Sequence, residues 1–123
     1  MTLSGSCLCG GINYTAEVTQ YMSGLCHCTD CQKHTYTSNA VVPRASFKIT
    51  KGTPSYYDSV GASGKTARRF FCSTCESSLY TDLEIMPDVT CIKGGKIDVE
   101  FYVKDRASYV AAVEGVKQES HFG

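Results

Sequence analysis

Cys26-His27-Cys28-Thr29-Asp30-Cys31 places three thiols within six residues, at C-x-C-x-x-C spacing. Thiols so close together suit one face of a metal ion and leave that ion one ligand short. Zinc held by four protein ligands is usually structural, whereas zinc held by three keeps a position open for water or substrate. Two further clusters, Cys7-Leu8-Cys9 and Cys72-Ser73-Thr74-Cys75, supply four more thiols. The simplest partition joins Cys7, Cys9, Cys72 and Cys75 in one closed tetrahedral site. Cys26, Cys28 and Cys31 then hold a second ion. Soft thiolates select zinc over magnesium or calcium. Iron–sulfur is the weaker option, since neither pattern matches a familiar cluster spacing.

The eighth cysteine decides whether the second site is open. Cys91 lies in the apolar run Val89-Thr90-Cys91-Ile92. A lone cysteine in such a run is more often a small core residue; as a fourth ligand it would close the site and make both ions structural. His27 falls between two ligands, so its ring is expected to point away from the metal, into a supporting or surface role. His34 could approach on a helical turn, but a solvent-facing imidazole is the simpler reading. His121 lies in the tail and is assigned nothing.

The chain has 123 residues, with twelve lysines and arginines against twelve aspartates and glutamates. A neutral balance argues against nucleic acid, whose binders neutralise phosphates, and against a polybasic membrane anchor. No apolar run reaches the roughly 20 residues that span a bilayer. Met1 to Gly11 has neither the basic nor the apolar region of a secretory signal. A cytoplasmic location follows as the expectation, and in a reducing compartment clustered cysteines bind metal rather than pair as disulfides.

The elements that must position these thiols read as short strands of one domain over residues 1–123, with glycine and proline falling between apolar stretches. Ser4 to Val18 is expected to be a hairpin turning through Cys7-Leu8-Cys9-Gly10-Gly11, where glycine supplies left-handed backbone angles. Strands are expected at Tyr21–Cys26, Ser38–Val42, Phe47–Lys51, Ser55–Ser59, Thr66–Phe71, Leu79–Leu83, Val89–Lys93 and Ile97–Glu100, with one more at Phe101–Val103. Gly94-Gly95 would turn a hairpin between two of them. Thr29 to His34 reads as one helical turn with Thr29 as its N-cap, which would set Cys31 near a positive end that favours thiolate. Arg106 to Val113, after Asp105 as a possible cap, is the C-terminal helix candidate. The tail from Lys117 is polar and expected to be loosely held. Short strands bury little each, so metal would contribute to folding directly.

Three segments together carry a resemblance: Ser6-Cys7-Leu8-Cys9-Gly10-Gly11 with Tyr14, then Cys26-His27-Cys28-Thr29-Asp30-Cys31, then Arg69-Phe70-Phe71-Cys72-Ser73-Thr74-Cys75. Val42-Pro43, Gly52 with Tyr56 or Tyr57, Ile92-Lys93-Gly94-Gly95 and Arg106-Ala107-Ser108-Tyr109 follow in matching order. The chain resembles, over nearly its whole length, the glutathione-dependent formaldehyde-activating family, also called the CENP-V/GFA domain. The resemblance implies a β-tent, an arrangement of small antiparallel sheets stapled by zinc. It implies a structural zinc on Cys7, Cys9, Cys72 and Cys75, and a more labile zinc on Cys26, Cys28 and Cys31 at which glutathione is handled. It also implies a carbon–sulfur lyase activity that makes S-(hydroxymethyl)glutathione. Glu76 stands where the family usually has glycine after the last knuckle cysteine, His34-Thr35-Tyr36 where it often has a glycine, and Tyr109 where it has tryptophan.

Two zinc ions per chain and glutathione as substrate or co-substrate are therefore expected, with a small thiol adduct or aldehyde as the partner and neither nucleic acid nor membrane. Arg69 and Lys33, with Arg68 and Lys65, are the cations nearest the clusters in sequence and candidates to pair a glutathione carboxylate. A solvated surface charge is the plainer reading of each. Tyr36, Tyr80 and Asp30 are proton handlers on chemical type alone. The alternative from another class is a zinc-stabilised scaffold without catalysis, marked by Cys91 closing the second site. A methionine sulfoxide reductase type would want two C-x-x-C pairs, and this chain opens with C-x-C.

Overall fold

Alternation of side chains along each strand decides the architecture, because one eight-stranded sheet has a different partner on each face. A computed structural model describes residues 1–34, 37–61, 63–94 and 99–121. A three-stranded sheet contains β1 (Thr2–Ser6), β2 (Asn13–Glu17) and β5 (Phe47–Lys51), in that order. The larger sheet contains β3 (Met22–Cys26), β4 (Ser38–Pro43), β6 (Ser55–Val60), β7 (Thr66–Phe71), β8 (Ser78–Leu83), β9 (Met86–Lys93), β10 (Val99–Phe101) and β11 (Lys117–Gln118). Its spatial order is β11-β10-β3-β4-β9-β8-β7-β6. Pairing is antiparallel except at one edge, where β10 runs parallel to both β3 and β11.

One face of the large sheet packs on the small one. Ala40 and Val42 of β4 and Ile92 of β9 meet Ala16 and Val18, with Leu3, Tyr14 and Phe47 against them. Beside this, Cys7, Ile12, Cys72, Leu79 and Tyr80 form a second cluster. Phe70 stacks on Tyr80 at 4.3 Å and Phe47 tilts against it at 4.4 Å. Much of the buried apolar set is alanine and cysteine, which bury little area per residue at about 25 cal/mol per Å². Metal at the thiol clusters would therefore matter to stability.

The mainly β class and the antiparallel sheets agree with expectation, as do the first hairpin and its turn. Gly10 takes φ +73° there, while Gly11 does not adopt positive φ. The short helix of the fold is α1 (Thr29–His34). Its cap is Cys28 rather than Thr29: the Cys28 carbonyl accepts the first helical bond from Gln32 N–H at 3.0 Å, and its Sγ accepts from Cys31 N–H at 3.3 Å.

The C-terminal helix expected over Arg106–Val113 does not form. A 3₁₀ turn covers Val103–Asp105 and the chain then runs in turns to β11. The competitor is a buried acceptor, since Val113 N–H donates to Glu100 Oε2 at 2.8 Å and Arg106 points its Nη2 at the same oxygen. The same carboxylate corrects the expectation of a loose tail: Gln118 Nε2 donates to Glu100 Oε2 at 2.6 Å, and β11 pairs with β10. No hairpin joins β9 to β10, because β9 lies between β4 and β8 while β10 returns beside β3. Gly94 has φ +122° and donates its N–H to Ser38 O at 2.7 Å; Gly95 lies outside the described residues. Of the expected strand Phe101–Val103, only Phe101 is extended.

Candidate metal centres and their cavity

Turns at two strand ends bring the first four thiols together. The sulfurs of Cys7, Cys9, Cys72 and Cys75 all lie within 4.8 Å of one another. Cys7 and Cys9 are 3.5 Å apart and Cys9 and Cys72 3.8 Å. A zinc–sulfur bond of about 2.3 Å with tetrahedral angles requires sulfurs about 3.8 Å apart, so this set fits zinc. The Ser77 hydroxyl, 3.2 Å from Cys75 Sγ, and the Ser77 backbone N–H hold the Cys75 thiol down at about 5. That favours the thiolate a metal needs.

The sulfurs of Cys26, Cys28 and Cys31 likewise lie within 4.8 Å of one another. Cys26 ends β3, Cys28 caps α1, and Cys31 sits on the first turn of that helix. Without a cation the three cannot all be ionised. Contact with Cys26 and Cys28 holds Cys31 down at about 2, while contact with Cys28 and Cys31 drives Cys26 far above the ordinary thiol range. A divalent ion removes that conflict, and the three-sulfur donor set suits zinc. Cys91 is not part of the cluster, and all eight cysteines are unbridged.

The second face of the large sheet explains what surrounds these three thiols. Gly24, Asn39, Val41, Ala67, Arg69, Thr81, Leu83, Cys91 and Lys93 alternate along their strands with core residues and together floor a cavity of about 200 Å³. Cys26, Cys28, Cys31, Asp30 and Tyr102 also line it. Arg69 is 6% exposed, donates from Nε to Ser59 Oγ at 3.1 Å, and brings Nη1 to 4.0 Å of Cys31 Sγ. Lys93 Nζ donates to Asn39 Oδ1 at 2.7 Å, and burial pushes its pKa down. Among the described residues neither cation has a carboxylate within ion-pair distance. Both instead act electrostatically on Cys31, favouring its thiolate.

Of the other residues singled out by sequence, Lys65 and Asp30 line the cavity and Lys33 is exposed on α1 outside its lining. Arg68 points to the far face, paired with Asp58 at 2.9 Å and 4.1 Å over the Tyr56 ring. Tyr80 belongs to the core rather than the cavity, and Tyr36 lies outside the described residues. His34 Nδ1 lies 3.4 Å from Ser78 Oγ, and burial lowers its pKa. His27 is fully buried, with Nε2 2.6 Å from Glu100 Oε1. Sequence proximity to the clusters missed Lys93, Thr81 and Glu100. Strand parity with Cys91 was the signal that could have found Lys93.

Fold and site together define a β-rich domain with two cysteine clusters that could hold metal, one of four thiols and one presenting three to a cavity. The chain matches the profile of the family described as glutathione-dependent formaldehyde-activating enzyme over residues 2–112, and it belongs to that family. No curated protein matches it. Its fold is similar to the crystal structure of a Rhodobacter sphaeroides protein, a Northeast Structural Genomics target. The TM-score is 0.65 and the identity 17%, over 95% of this chain and 99% of that one.

Proposed function

We propose that this protein is a zinc-dependent carbon–sulfur lyase acting on glutathione adducts, of the S-(hydroxymethyl)glutathione synthase type, working in a reducing compartment. The observation that carries the reading is the three-thiol cluster without a fourth cysteine, facing a cavity that Arg69 and Lys93 also line. Zinc at Cys26, Cys28 and Cys31 supplies a Lewis acid that keeps a visiting thiol deprotonated. Three thiolates with a divalent ion would sum to one negative charge, and Arg69 and Lys93 act electrostatically on its Cys31 end.

The chain's own residues orient and shelter the reactants. Arg69 and Lys93 hold negative charge at the Cys31 end, and the sheet face with Val41, Leu83 and Phe101 limits water. Placing sulfur and aldehyde carbon together in such a cavity accelerates addition by proximity. Cys7, Cys9, Cys72 and Cys75 staple the first hairpin to the β7–β8 turn and take no part in the chemistry.

Zinc analysis and activity of two variants test this. Cys28→Ser keeps the fold, loses about one zinc of two, and loses formaldehyde-dependent consumption of glutathione; Cys72→Ser unfolds. Equal unfolding of both would make the second site structural and support the scaffold reading.

A further inference from the structure

Strand register places Thr81 of β8 directly between Arg69 of β7 and Cys91 of β9, on the cavity face. Residues opposite one another in an antiparallel pair have Cβ atoms about 5 Å apart, and diagonal neighbours about 7–8 Å. Lys93, two residues beyond Cys91, therefore reaches the same region. Thr81 is 3% exposed, and its Oγ1 has no hydrogen-bond partner among the described residues. Native structures leave few buried hydroxyls unpaired, because each gives up its hydration without return. Thr81 is among the residues that line the cavity the three thiols line. Arg69 spends Nε on Ser59, and its Nη2 makes no hydrogen bond among the described residues. Lys93 Nζ donates to Asn39 Oδ1, leaving two protons.

Resting on the thiol-binding role above, we infer that Thr81, flanked by Arg69 and Lys93, is the seat of the substrate's oxygen. The site takes thiols and thiol adducts that carry an oxygen, above all an oxyanion, one or two carbons from the sulfur. In the synthetic direction the sulfur–carbon bond forms as the carbon–oxygen π bond breaks. The π pair goes to oxygen, which takes up through solvent the proton that the thiol released on ionising. Negative charge moves from sulfur to oxygen without leaving the cavity, and uncommitted donors stand where it arrives. Donors fixed in advance at the position of developing charge act most strongly where water is excluded. In the reverse direction the same donors hold the hydroxyl as it loses its proton and the sulfur–carbon bond breaks.

Thiol binding to the cobalt-loaded protein tests the seat without relying on turnover, through the thiolate-to-metal absorption. The probes are mercaptoacetate, whose carboxylate puts oxygen near the sulfur, and its neutral methyl ester. Mercaptoacetate is expected to bind at least about tenfold tighter, as hydrogen bonds to a charged group allow. Thr81→Val, nearly isosteric, removes most of that preference, while Thr81→Ser retains it. Lys93→Met reduces the preference independently. Equal affinities in the unaltered protein, or an undiminished preference in Thr81→Val, overturn the oxygen seat and leave the lyase reading standing. If neither thiol perturbs the cobalt absorption, there is no open metal position, and the lyase reading fails together with the seat.

Discussion

His27 Nε2 and Glu100 Oε1 lie 2.6 Å apart with both side chains fully buried, joining the loop that carries the three thiols to a strand 73 residues away. Glu100 is also the anchor of the C-terminal segment, through Val113 N–H, Gln118 Nε2 and Arg106 Nη2. One carboxylate thus ties the thiol loop, the parallel edge of the sheet and the tail together.

Burial alone would raise the Glu100 carboxyl, but hydrogen bonds from Gln118, His27 and the Val113 N–H outweigh it and hold the pKa at about 2, against 4.5 unperturbed. A group with a depressed folded pKa contributes stability that is present above its unfolded pKa and lost as pH falls through its folded one. Urea denaturation of the unaltered protein and of Glu100→Gln between pH 6 and 2 measures this. The variant is expected to be about 2 kcal/mol less stable at pH 6, as for hydrogen bonds to a charged buried group. The difference should narrow between pH 4.5 and about 2, where the native carboxylate takes up its proton. A difference that stays constant with pH contradicts this role.

Glu76 occupies φ +64° in the turn after Cys75 and is exposed. Its N–H donates to Cys72 O at 2.8 Å, so the left-handed angle belongs to the knuckle that shapes the four-thiol site. Left-handed backbone costs a non-glycine residue about 1 kcal/mol. Glu76→Gly is therefore expected to stabilise the protein by up to about 1 kcal/mol, partly offset by glycine's greater unfolded-state entropy. Chemical denaturation should show a higher midpoint with both metals retained; a lower midpoint contradicts the strain argument.

Cys91 is 7% exposed, outside the three-thiol cluster, and burial pushes its thiol up to about 11. It behaves as a small, buried, neutral residue of the cavity floor. Cys91→Ala should keep both metals and lose about 1–2 kcal/mol, as for removing a small buried group. Loss of one metal ion would identify Cys91 as a ligand and favour a closed, structural second site.

Much of this was legible from local chemistry. Cysteine spacing separated the four-thiol and three-thiol sets, and glycine with alternating apolar residues marked the first hairpin and most strands. What depended on distant partners was not legible. Arg106 to Val113 has a helix-compatible composition, but Glu100 offers Val113 N–H a buried acceptor that no helical register could reach. Gly94-Gly95 resembled a hairpin turn, yet β10 crosses to pair in parallel with β3, a choice made by sheet order rather than turn chemistry. Lys93 is remote from the three-thiol cluster along the chain. Across the sheet it shares the face of Arg69, Thr81 and Cys91.

The central claim is that the ion at Cys26, Cys28 and Cys31 offers one position to a visiting thiol. Zinc-edge X-ray absorption of the fully loaded protein, with and without saturating glutathione, measures it directly. One closed and one open site average about 3.5 sulfurs per zinc, rising to about 4 when glutathione's sulfur completes the second shell. A value of four before glutathione is added, or one that glutathione leaves unchanged, contradicts the account.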